Sequence, residues 1–258
     1  MSEKTPIIKD LISLVHKAGK EVMNIYEGEI QTQLKEDRSP LTQADIKADN
    51  VILAGLYEDY PNIPTISEES YKIGKIPNLE DSFFLVDPID GTYDYINNLE
   101  EFTINAGLII NNKPVAGLIN APAKKRMFYS YEKGSAFELS KGKTINLSSM
   151  TSKKSGSLKF ISYSNKVKPE IQKIYDDLGV KENIKMKSSL KFCVVASREY
   201  DGYVAEPRAY EWDIAAGHTI VKNAGGIVTT LDEKGFKYGK SDYKNLAILV
   251  RRSKNLER

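Results

Sequence analysis

Apolar positions near the start of the chain recur at helical spacing. The first set comprises Ile7, Ile8, Leu11, Ile12, Val15, Ala18 and Val22. This spacing predicts an amphipathic helix, and the pair Thr5-Pro6 predicts its beginning. A second helix is predicted from Thr42, because Asp45 stands three positions after a threonine cap and an apolar stripe follows. Two helices therefore precede the first strong strand.

The apolar pattern then changes to short runs that are typical of strands. One strand is predicted at Thr65-Ile66, and the run 83–86 predicts a buried strand that leads directly into acidic residues. Further on, apolar runs are separated by turn residues, which predicts an antiparallel meander. The strands of this meander are expected at residues 103–110, 114–119 and 127–131.

The second half of the chain alternates between helices and strands. Strands are predicted at 160–161 and 247–250, helices at 170–178, 190–196 and 214–224, and a solvated tail at 251–258. The segment 141–157 is rich in Lys, Ser, Thr and Gly, which favours a surface connection. It predicts a boundary between an N-terminal subdomain, residues 1–143, and a C-terminal subdomain, residues 144–258.

Composition narrows the class of protein. Hydrophobic residues make up 41% and charged residues 28% of the 258 residues, which is typical of a folded soluble protein. No signal peptide or membrane-length apolar run is apparent, so we expect a cytoplasmic protein without a transmembrane segment. The single cysteine, Cys193, excludes an internal disulfide and is expected in the core.

The charge balance bears on the kind of ligand. The net charge of +2 provides no global field for nucleic acid, so a nucleic-acid-binding function depends only on the Lys-rich stretch 141–159 and the basic tail. We expect no nucleic-acid partner. Any anionic ligand has to be bound by a local group of side chains.

Carboxylates stand where strands end and helices begin. They are Asp45, Glu68, Glu69, Asp87, Asp90 and Asp213. Oxygen ligands suit Mg²⁺, and Pro88 with Gly91 allows Asp87 and Asp90 to converge around the Ile89 carbonyl. The alternative is that these residues only cap helices and form turns. Capping does not explain why acidic residues directly follow such apolar runs, so a divalent-metal site is favoured.

Four sequence blocks resemble the signatures of the inositol monophosphatase superfamily. They are residues 41–45, 67–69, 87–92 (Asp-Pro-Ile-Asp-Gly-Thr) and 212–217. The blocks stand in the family's order and span nearly the whole chain, which makes the resemblance specific. It implies a layered α-β-α-β-α sandwich, with an N-terminal α+β half that carries most ligands and a C-terminal α/β half that supplies Asp213.

Three further stretches, residues 101–105, 188–193 and 211–213, resemble the bacterial 3′(2′),5′-bisphosphate nucleotidase branch. That branch converts adenosine 3′,5′-bisphosphate into AMP and phosphate. The chain departs from the branch in three places. Residues 93–95 are Tyr-Asp-Tyr instead of Lys-Glu-Phe, Lys187 replaces a common glycine, and the segment at Pro207-Arg208 is shorter. The departures concern the nucleotide contacts and not the metal site.

The resemblance implies that two Mg²⁺ ions are held in the active site. One ion would be bound by Glu68, Asp87 and the Ile89 carbonyl. The second would be bound by Asp87, Asp90 and Asp213, with Asp87 bridging the pair. Inhibition by lithium is implied as well, because lithium can occupy one of these positions.

The resemblance also assigns catalytic and substrate-binding roles. Glu68 and Thr92 would orient the attacking water, with Asp45 supporting them or a weaker third ion. A small phosphorylated substrate would contact Glu68, Ile89, Asp90, Gly91, Thr92, Ser189, Lys191, Glu206, Arg208 and Asp213. The backbone amides of residues 90–92 would point at its phosphate.

Several alternatives remain open at this stage. The same metal site would serve an inositol-1-monophosphatase or a sugar bisphosphatase, and a noncatalytic metal- or nucleotide-binding module would keep the ligands without turnover. His16 and His218 are interpreted as structural, and Trp212 as packing that positions Asp213. Arg208 has a second interpretation, that of an ordinary exposed arginine. The family is often dimeric, so a homodimer is expected.

Overall fold

The structure is a computed structural model that describes residues 4–28, 30–34, 40–149, 157–253 and 256. Within these ranges seven α-helices form: α1 (Lys4–Tyr26), α2 (Gln43–Asp59), α3 (Glu68–Lys72), α4 (Thr92–Ile96), α5 (Pro169–Leu178), α6 (Leu190–Ala196) and α7 (Glu211–Asn223). The strands of the N-terminal part are β1 (Thr32–Leu34), β2 (Pro40–Thr42), β3 (Thr65–Ser67), β4 (Ser82–Asp90), β5 (Thr103–Ile110), β6 (Lys113–Ala121), β7 (Arg126–Glu132), β8 (Ser135–Ser140) and β9 (Lys143–Asn146). Those of the C-terminal part are β10 (Leu158–Ser162), β11 (Val180–Lys185), β12 (Gly202–Ala205), β13 (Ile227–Thr229) and β14 (Ile248–Arg251).

Two large sheets organise the chain. The seven-stranded sheet has the order β3-β4-β5-β6-β7-β8-β9; β3 pairs parallel with β4, and every later pair is antiparallel. The five-stranded sheet has the order β11-β10-β12-β14-β13 and mixes parallel with antiparallel pairs. β1 and β2 form a separate hairpin ladder.

Helices cover both faces of the large sheet. Along β4, Phe84 and Val86 pack into the core that α1 and α2 cover, whereas Phe83 and Leu85 pack into the core that contains α6 and α7. This division follows from the two-residue period of a strand, which points successive side chains to opposite faces. The second core also includes side chains of the five-stranded sheet, so α6 and α7 lie between the sheets.

The outer face of the five-stranded sheet is covered by α5. Phe160 and Val204 of the sheet pack with Tyr175 of this helix, and the Tyr175 hydroxyl donates to the Ile161 carbonyl at 2.8 Å. The order of layers is therefore helix, sheet, helix, sheet, helix. The predicted α-β-α-β-α sandwich is confirmed.

Helix α7 approaches the large sheet closely because small residues line the contact. A Cβ added at Gly117 of β6 would lie 2.6 Å from the Ala216 Cα and 2.7 Å from the Ala216 carbonyl oxygen. At Gly107 of β5, it would lie 3.0 Å from the Ala215 Cβ. Backbone atoms cannot yield as a flexible side chain can, so these glycines set the height of α7 above the sheet.

Most predicted elements form, with some corrected bounds. The helix predicted at 214–224 begins at Glu211, so Asp213 lies in its first turn. The meander is confirmed and continues through β8 and β9, so the prediction of a surface connection from residue 141 is wrong for β9 and for the 3₁₀ turn Leu147–Ser149. Residues 150–156 lie outside the described part. The large sheet extends three residues past the expected boundary at 143, and that division stays a prediction.

The C-terminal end is also partly different from expectation. Arg251 is buried in β14, where it pairs with Ile227 and Gly202, and its guanidinium binds Glu233 at 3.0 Å. The expectation that the solvated tail begins at Arg251 is therefore wrong. Residues 254, 255, 257 and 258 lie outside the described part. None of the described helices has the combination of length and apolar character that crossing a membrane requires.

We predict that Gly117→Ala destabilises the protein by about 1–3 kcal/mol, because the methyl group would overlap the backbone of α7. Chemical denaturation of the variant and the wild type measures this difference. Gly235→Ala is the matched control, since a Cβ there would have no neighbour within 4 Å. Equal stabilities of the two variants would show that α7 does not depend on this contact.

Candidate active site

The site begins where β3 ends next to β4. Ser67 of β3 is in register with Val86 of β4, so the pairing of the two strands ends at the positions before Glu68 and Asp87. Ser67 caps α3, accepting from the Ser70 amide at 3.0 Å, and Glu68 is the first residue of that helix. Local capping chemistry thus turns the chain at the point where the carboxylates come together.

A bulge in β4 brings Asp87 and Asp90 together. Asp87 pairs with Asn105 and Asp90 with Thr103, so three steps on β4 match two on β5. In a regular strand, residues three apart face opposite sides, and the extra residue of a bulge corrects this. The strand predicted at 83–86 is therefore longer than expected, because it continues to Asp90.

The sharp bend predicted at Gly91 is confirmed. Its φ of 95° is in the left-handed region, and an added Cβ would lie 2.9 Å from the Glu101 carbonyl oxygen. Gly91 also caps α4, so the amides after it open a helical turn. Only glycine suits this position without strain.

Asp45, Thr92 and Ile89 are connected by hydrogen bonds. Asp45 Oδ2 accepts from the Thr42 amide at 2.8 Å and from the Thr42 hydroxyl at 2.6 Å, which completes the predicted capping box of α2. The Thr92 hydroxyl lies 3.1 Å from the Ile89 carbonyl oxygen and 3.4 Å from Asp45 Oδ1. The structure therefore brings Asp45 next to Thr92, as the sequence predicted.

Asp213 comes from the C-terminal half of the chain and lies in the first turn of α7. Asp213 Oδ2 accepts from the Tyr210 amide at 2.7 Å, which fixes the carboxylate at the helix start. Trp212 is 1% exposed and stacks on Tyr210 with 4.7 Å between ring centroids. Burial at this level leaves no free ring face for a substrate base, so Trp212 packs as predicted and does not form a stacking platform.

Ser189 connects the two halves of the site. Its hydroxyl contacts the Asp90 carboxylate and lies 2.7 Å from the Asp213 carbonyl oxygen, and it accepts from the side-chain Nδ2 of Asn105 at 3.0 Å. Ser189 is buried, as is Asn105. Ser189, at the start of α6, therefore contacts both the bulge of β4 and the first turn of α7.

The carboxylates of the cluster repel one another in a buried environment. Burial raises the pKa of Asp87 well above its ordinary value, and the charges of Glu68, Asp90, Asp213 and Asp45 raise it further. Burial likewise raises the pKa of Asp213, with Asp90 and Glu68 adding to the effect. Such a cluster is stable in its ionised form only when cations offset the repulsion.

The carboxylate and carbonyl oxygens of the cluster suit a hard divalent cation. The side chains do not converge on one point in this structure. Among the described residues, no three acidic, histidine or cysteine side chains stand in position to hold an ion together. Glu68 binds the Lys72 ammonium at 2.7 Å, and Asp213 uses one oxygen as a helix cap. A carboxylate has two oxygens with two lone pairs each, so a cap leaves capacity for a second partner.

A cleft opens in front of the cluster, with a cavity volume of about 430 Å³. The predicted site residues that line it are Glu68, Asp90, Gly91, Thr92, Ser189, Lys191, Glu206, Arg208 and Asp213. Asp45, Asp87 and Ile89 are each 1% exposed and do not line the cleft. The metal-ligand assignment of these residues stays a prediction.

Cationic and aromatic side chains also form part of the cleft wall. Burial lowers the pKa of Lys191 to about 8, although Asp90 counteracts the effect. The Arg208 guanidinium lies over the Tyr163 ring, 3.2 Å from its centroid, so Arg208 is held against the cleft although it is exposed. Glu206 binds Lys168 at 2.6 Å.

Several residues of this wall were not predicted from the sequence. Tyr163 and Lys168 follow β10 in a loop that carries no motif, and Lys187 was noted only as a departure from the nucleotidase branch. The only sign of this wall in the sequence was that residue 187 is lysine where the nucleotidase branch commonly has glycine. Tyr163 could not be found without the tertiary structure.

The remaining candidates have structural positions. Cys193 is buried in the core, where burial raises the pKa of its thiol. His218 is buried and its Nδ1 lies 2.9 Å from the Tyr238 hydroxyl; burial lowers its pKa to about 3. His16 is exposed on α1 and does not line the cleft.

Residues 3–257 match the family model described as the inositol monophosphatase family. The chain belongs to this family, whose members are hydrolases that act on phosphoric monoesters and are generally metal-dependent. The match covers nearly the whole chain, so both halves of the fold and all of the acidic cluster fall inside it.

Two relatives named as nucleotidases are similar to this chain over most of its length. The 3′(2′),5′-bisphosphate nucleotidase CysQ of Salmonella typhimurium is 35% identical over 234 residues, which is 90% of this chain and 94% of the relative. The relative of the same name from Escherichia coli K12 is 32% identical over the same shares. Both span almost the full length of this chain.

Solved structures have the same fold. The crystal structure of CysQ from Bacteroides thetaiotaomicron has a TM-score of 0.78 and 29% identity, and the alignment covers 97% of this chain and 98% of that one. Inositol monophosphatase-II from Staphylococcus aureus has a TM-score of 0.76 at 20% identity, covering 96% and 89%. The second likeness concerns the fold alone.

We predict that Asp87→Asn stabilises the metal-free protein, by on the order of 1–3 kcal/mol, because it removes one buried charge from the cluster. The asparagine oxygen can still accept from the Ile89 amide, which lies 3.1 Å from Asp87 Oδ1. Thermal melting in EDTA measures the effect. Added Mg²⁺ should raise the melting temperature of the wild type by mass action but not that of the variant.

Asp177→Asn is the control for this experiment, since Asp177 is an exposed carboxylate of α5 whose side chain is 60% accessible. It should leave both the metal-free stability and the Mg²⁺ response unchanged. A metal-free Asp87→Asn protein less stable than the wild type would refute the idea that charge repulsion dominates this cluster.

Proposed function

We propose that this chain is a magnesium-dependent 3′(2′),5′-bisphosphate nucleotidase that hydrolyses adenosine 3′,5′-bisphosphate to AMP and phosphate. The observation that carries the proposal is a single cleft with buried carboxylates at one end and Lys191, Arg208 and Tyr163 on its wall. A substrate with two phosphates can use both ends. The CysQ relatives are named 3′(2′),5′-bisphosphate nucleotidases, which supports the same substrate class.

The acidic cluster would hold two Mg²⁺ ions. We assign Glu68, Asp87 and the Ile89 carbonyl to one, and Asp87, Asp90 and Asp213 to the other. When bound, the ions would lower the pKa of water and stabilise the charge of the leaving oxygen. To serve as a ligand, Glu68 has to turn away from Lys72, a partly exposed partner four residues along the same helix.

Protein side chains would orient the attacking water. Thr92 faces Asp45 and the Ile89 carbonyl, and this pair of acceptors fixes the rotation of its hydroxyl. The hydroxyl oxygen can then accept a hydrogen bond from water, while Glu68 supplies a second contact. Asp45, anchored by Thr42, would keep Thr92 in place or support a weaker third ion.

The substrate would lie along the cleft. Its scissile phosphate would face the amides of residues 90–92 at the opening of α4, which suit an anion. Ser189 and Lys191 would contact the substrate from α6, with Glu206 available to ribose hydroxyls. Arg208 would bind the second phosphate, because a guanidinium can form two parallel bonds to phosphate oxygens.

A comparison of three substrates tests the proposal. We expect kcat/KM to be clearly highest for adenosine 3′,5′-bisphosphate, lower for inositol 1-phosphate and lower for fructose 1,6-bisphosphate. Phosphate release should depend on Mg²⁺, stop in EDTA, and be lost in Asp90→Asn. Millimolar lithium should inhibit it. Superior turnover of inositol 1-phosphate would identify an inositol monophosphatase instead, and ligand binding without turnover would identify a noncatalytic module.

The partner, the oligomeric state and the location of the protein are proposed as well. A small phosphorylated molecule is the expected partner, and a homodimer and a cytoplasmic location are proposed from the family resemblance. Sedimentation at several protein concentrations would measure the oligomeric state.

A further inference from the structure

Lys187 brings a positive charge to the cleft from the loop between β11 and α6. Its ammonium lies 2.8 Å from Asp94 Oδ1 and 4.4 Å from the ring centroid of Tyr93. The side chain is 15% exposed, and Lys187, Tyr93 and Asp94 all line the same cleft as the acidic cluster. The charge therefore lies inside the cleft and not on the outer surface.

The backbone that carries Lys187 is held in place. Its amide donates to Glu101 Oε2 at 3.2 Å, and the next residue, Ser188, adopts a left-handed conformation with a φ of 53°. One residue further, Ser189 contacts the Asp90 carboxylate. The position of Lys187 is thus coupled to the proposed metal site by two residues of fixed backbone.

The Lys187 ammonium can bind another anion while it is paired with Asp94. Burial lowers its pKa, but the hydrogen bond to Asp94 and the charge of that carboxylate raise the pKa above the ordinary lysine value. It therefore stays charged at neutral pH. An ammonium has three donors, and Asp94 takes one of them.

Lys187 and Arg208 act on the same part of the cleft. Arg208 stacks on Tyr163, which lines the cleft together with Lys187. A second cleft, lined by Tyr93, Tyr163, Lys187 and neighbouring polar residues, continues from this point. Tyr93, Tyr163 and Lys187 line both clefts, and Lys166 lines both as well, so this region is rich in positive charge.

The sequence departures at residues 93 and 187 compensate for one another. The nucleotidase branch resembled by this chain has lysine where Tyr93 stands and commonly has glycine where Lys187 stands, followed at 94 by an acid in both. In this chain the cation comes from the opposite loop and lies over the Tyr93 ring, next to Asp94. In this chain the positive charge next to Asp94 is therefore supplied by residue 187 and not by residue 93.

We propose that Lys187 is a specificity-determining residue, which contacts the second anionic group of a bisphosphorylated substrate in place of a lysine at position 93. The proposal rests on the function proposed above and adds the residue that selects two anionic groups over one. A monophosphate leaves this region empty and gains nothing from Lys187.

The test compares two substrates that share the scissile phosphate, adenosine 3′,5′-bisphosphate and adenosine 3′-monophosphate. We expect Lys187→Ala to lower kcat/KM for the bisphosphate by about 10-fold or more, chiefly through KM, because a charged hydrogen bond is lost. Turnover of the monophosphate should hardly change. Lys187→Gln, which keeps a donor for Asp94 but removes the charge, should have the same effect.

The control is Lys173→Ala, which removes an exposed lysine of α5 that does not line either cleft. It should leave both substrates unaffected. The double variant Lys187→Gly with Tyr93→Lys should recover most of the preference for the bisphosphate, since it restores the branch pattern. Rescue of this kind would not follow from a merely structural role.

The failures of the two proposals differ. If the wild type prefers the bisphosphate but the Lys187 variants keep that preference, the role of Lys187 is refuted and the nucleotidase function stands. Equal losses with both substrates would also refute it, by indicating damage to the shared site. If the wild type has no preference for the bisphosphate, the nucleotidase function itself fails and Lys187 has no selectivity to provide.

Discussion

Mutual repulsion of buried carboxylates is the constraint that governs this structure. Asp87 lies at the centre of the cluster, and both its burial and the neighbouring charges oppose its ionised form. Side chains that repel one another remain together only if the backbone holds them there. The bulge of β4, the left-handed Gly91 and the helix start at Asp213 provide that rigidity, and each is tied into a core that covers a face of the large sheet.

Helix capping and metal binding are compatible uses of the same carboxylate. Asp45 and Asp213 each cap a helix through one oxygen, Oδ2. The other oxygen of Asp45 lies 3.4 Å from the Thr92 hydroxyl, so one side chain joins a helix start to the site. Caps that fix a carboxylate also reduce the entropy that it would lose on binding an ion. The alternatives weighed from the sequence therefore describe one arrangement, in which the caps orient the proposed ligands.

Much of this site could be predicted from local signals in the sequence. Contacts between distant segments could not be predicted in this way. Thr42 and Asp45 form a capping box because their spacing alone permits it. The position of Asp213 next to the β4 bulge required the family resemblance, since it depends on how closely α7 approaches Gly117 across the chain. Short strands such as β12 and β13 carry too few residues for a period of two to be recognised.

The arrangement of charges in the cleft gives a physical basis for the proposed substrate choice in a chain whose net charge is only +2. The carboxylate end repels a bare phosphate unless cations are bound, so binding there depends on the metal. Away from the cluster, Arg208 lies over the Tyr163 ring, and Lys187 lies over the Tyr93 ring and next to Asp94. In the proposed function, a ligand with two anionic groups would contact the metal-binding end and these cations at once, and it would gain from being held at two points. The distance between its two groups would then decide whether both contacts form.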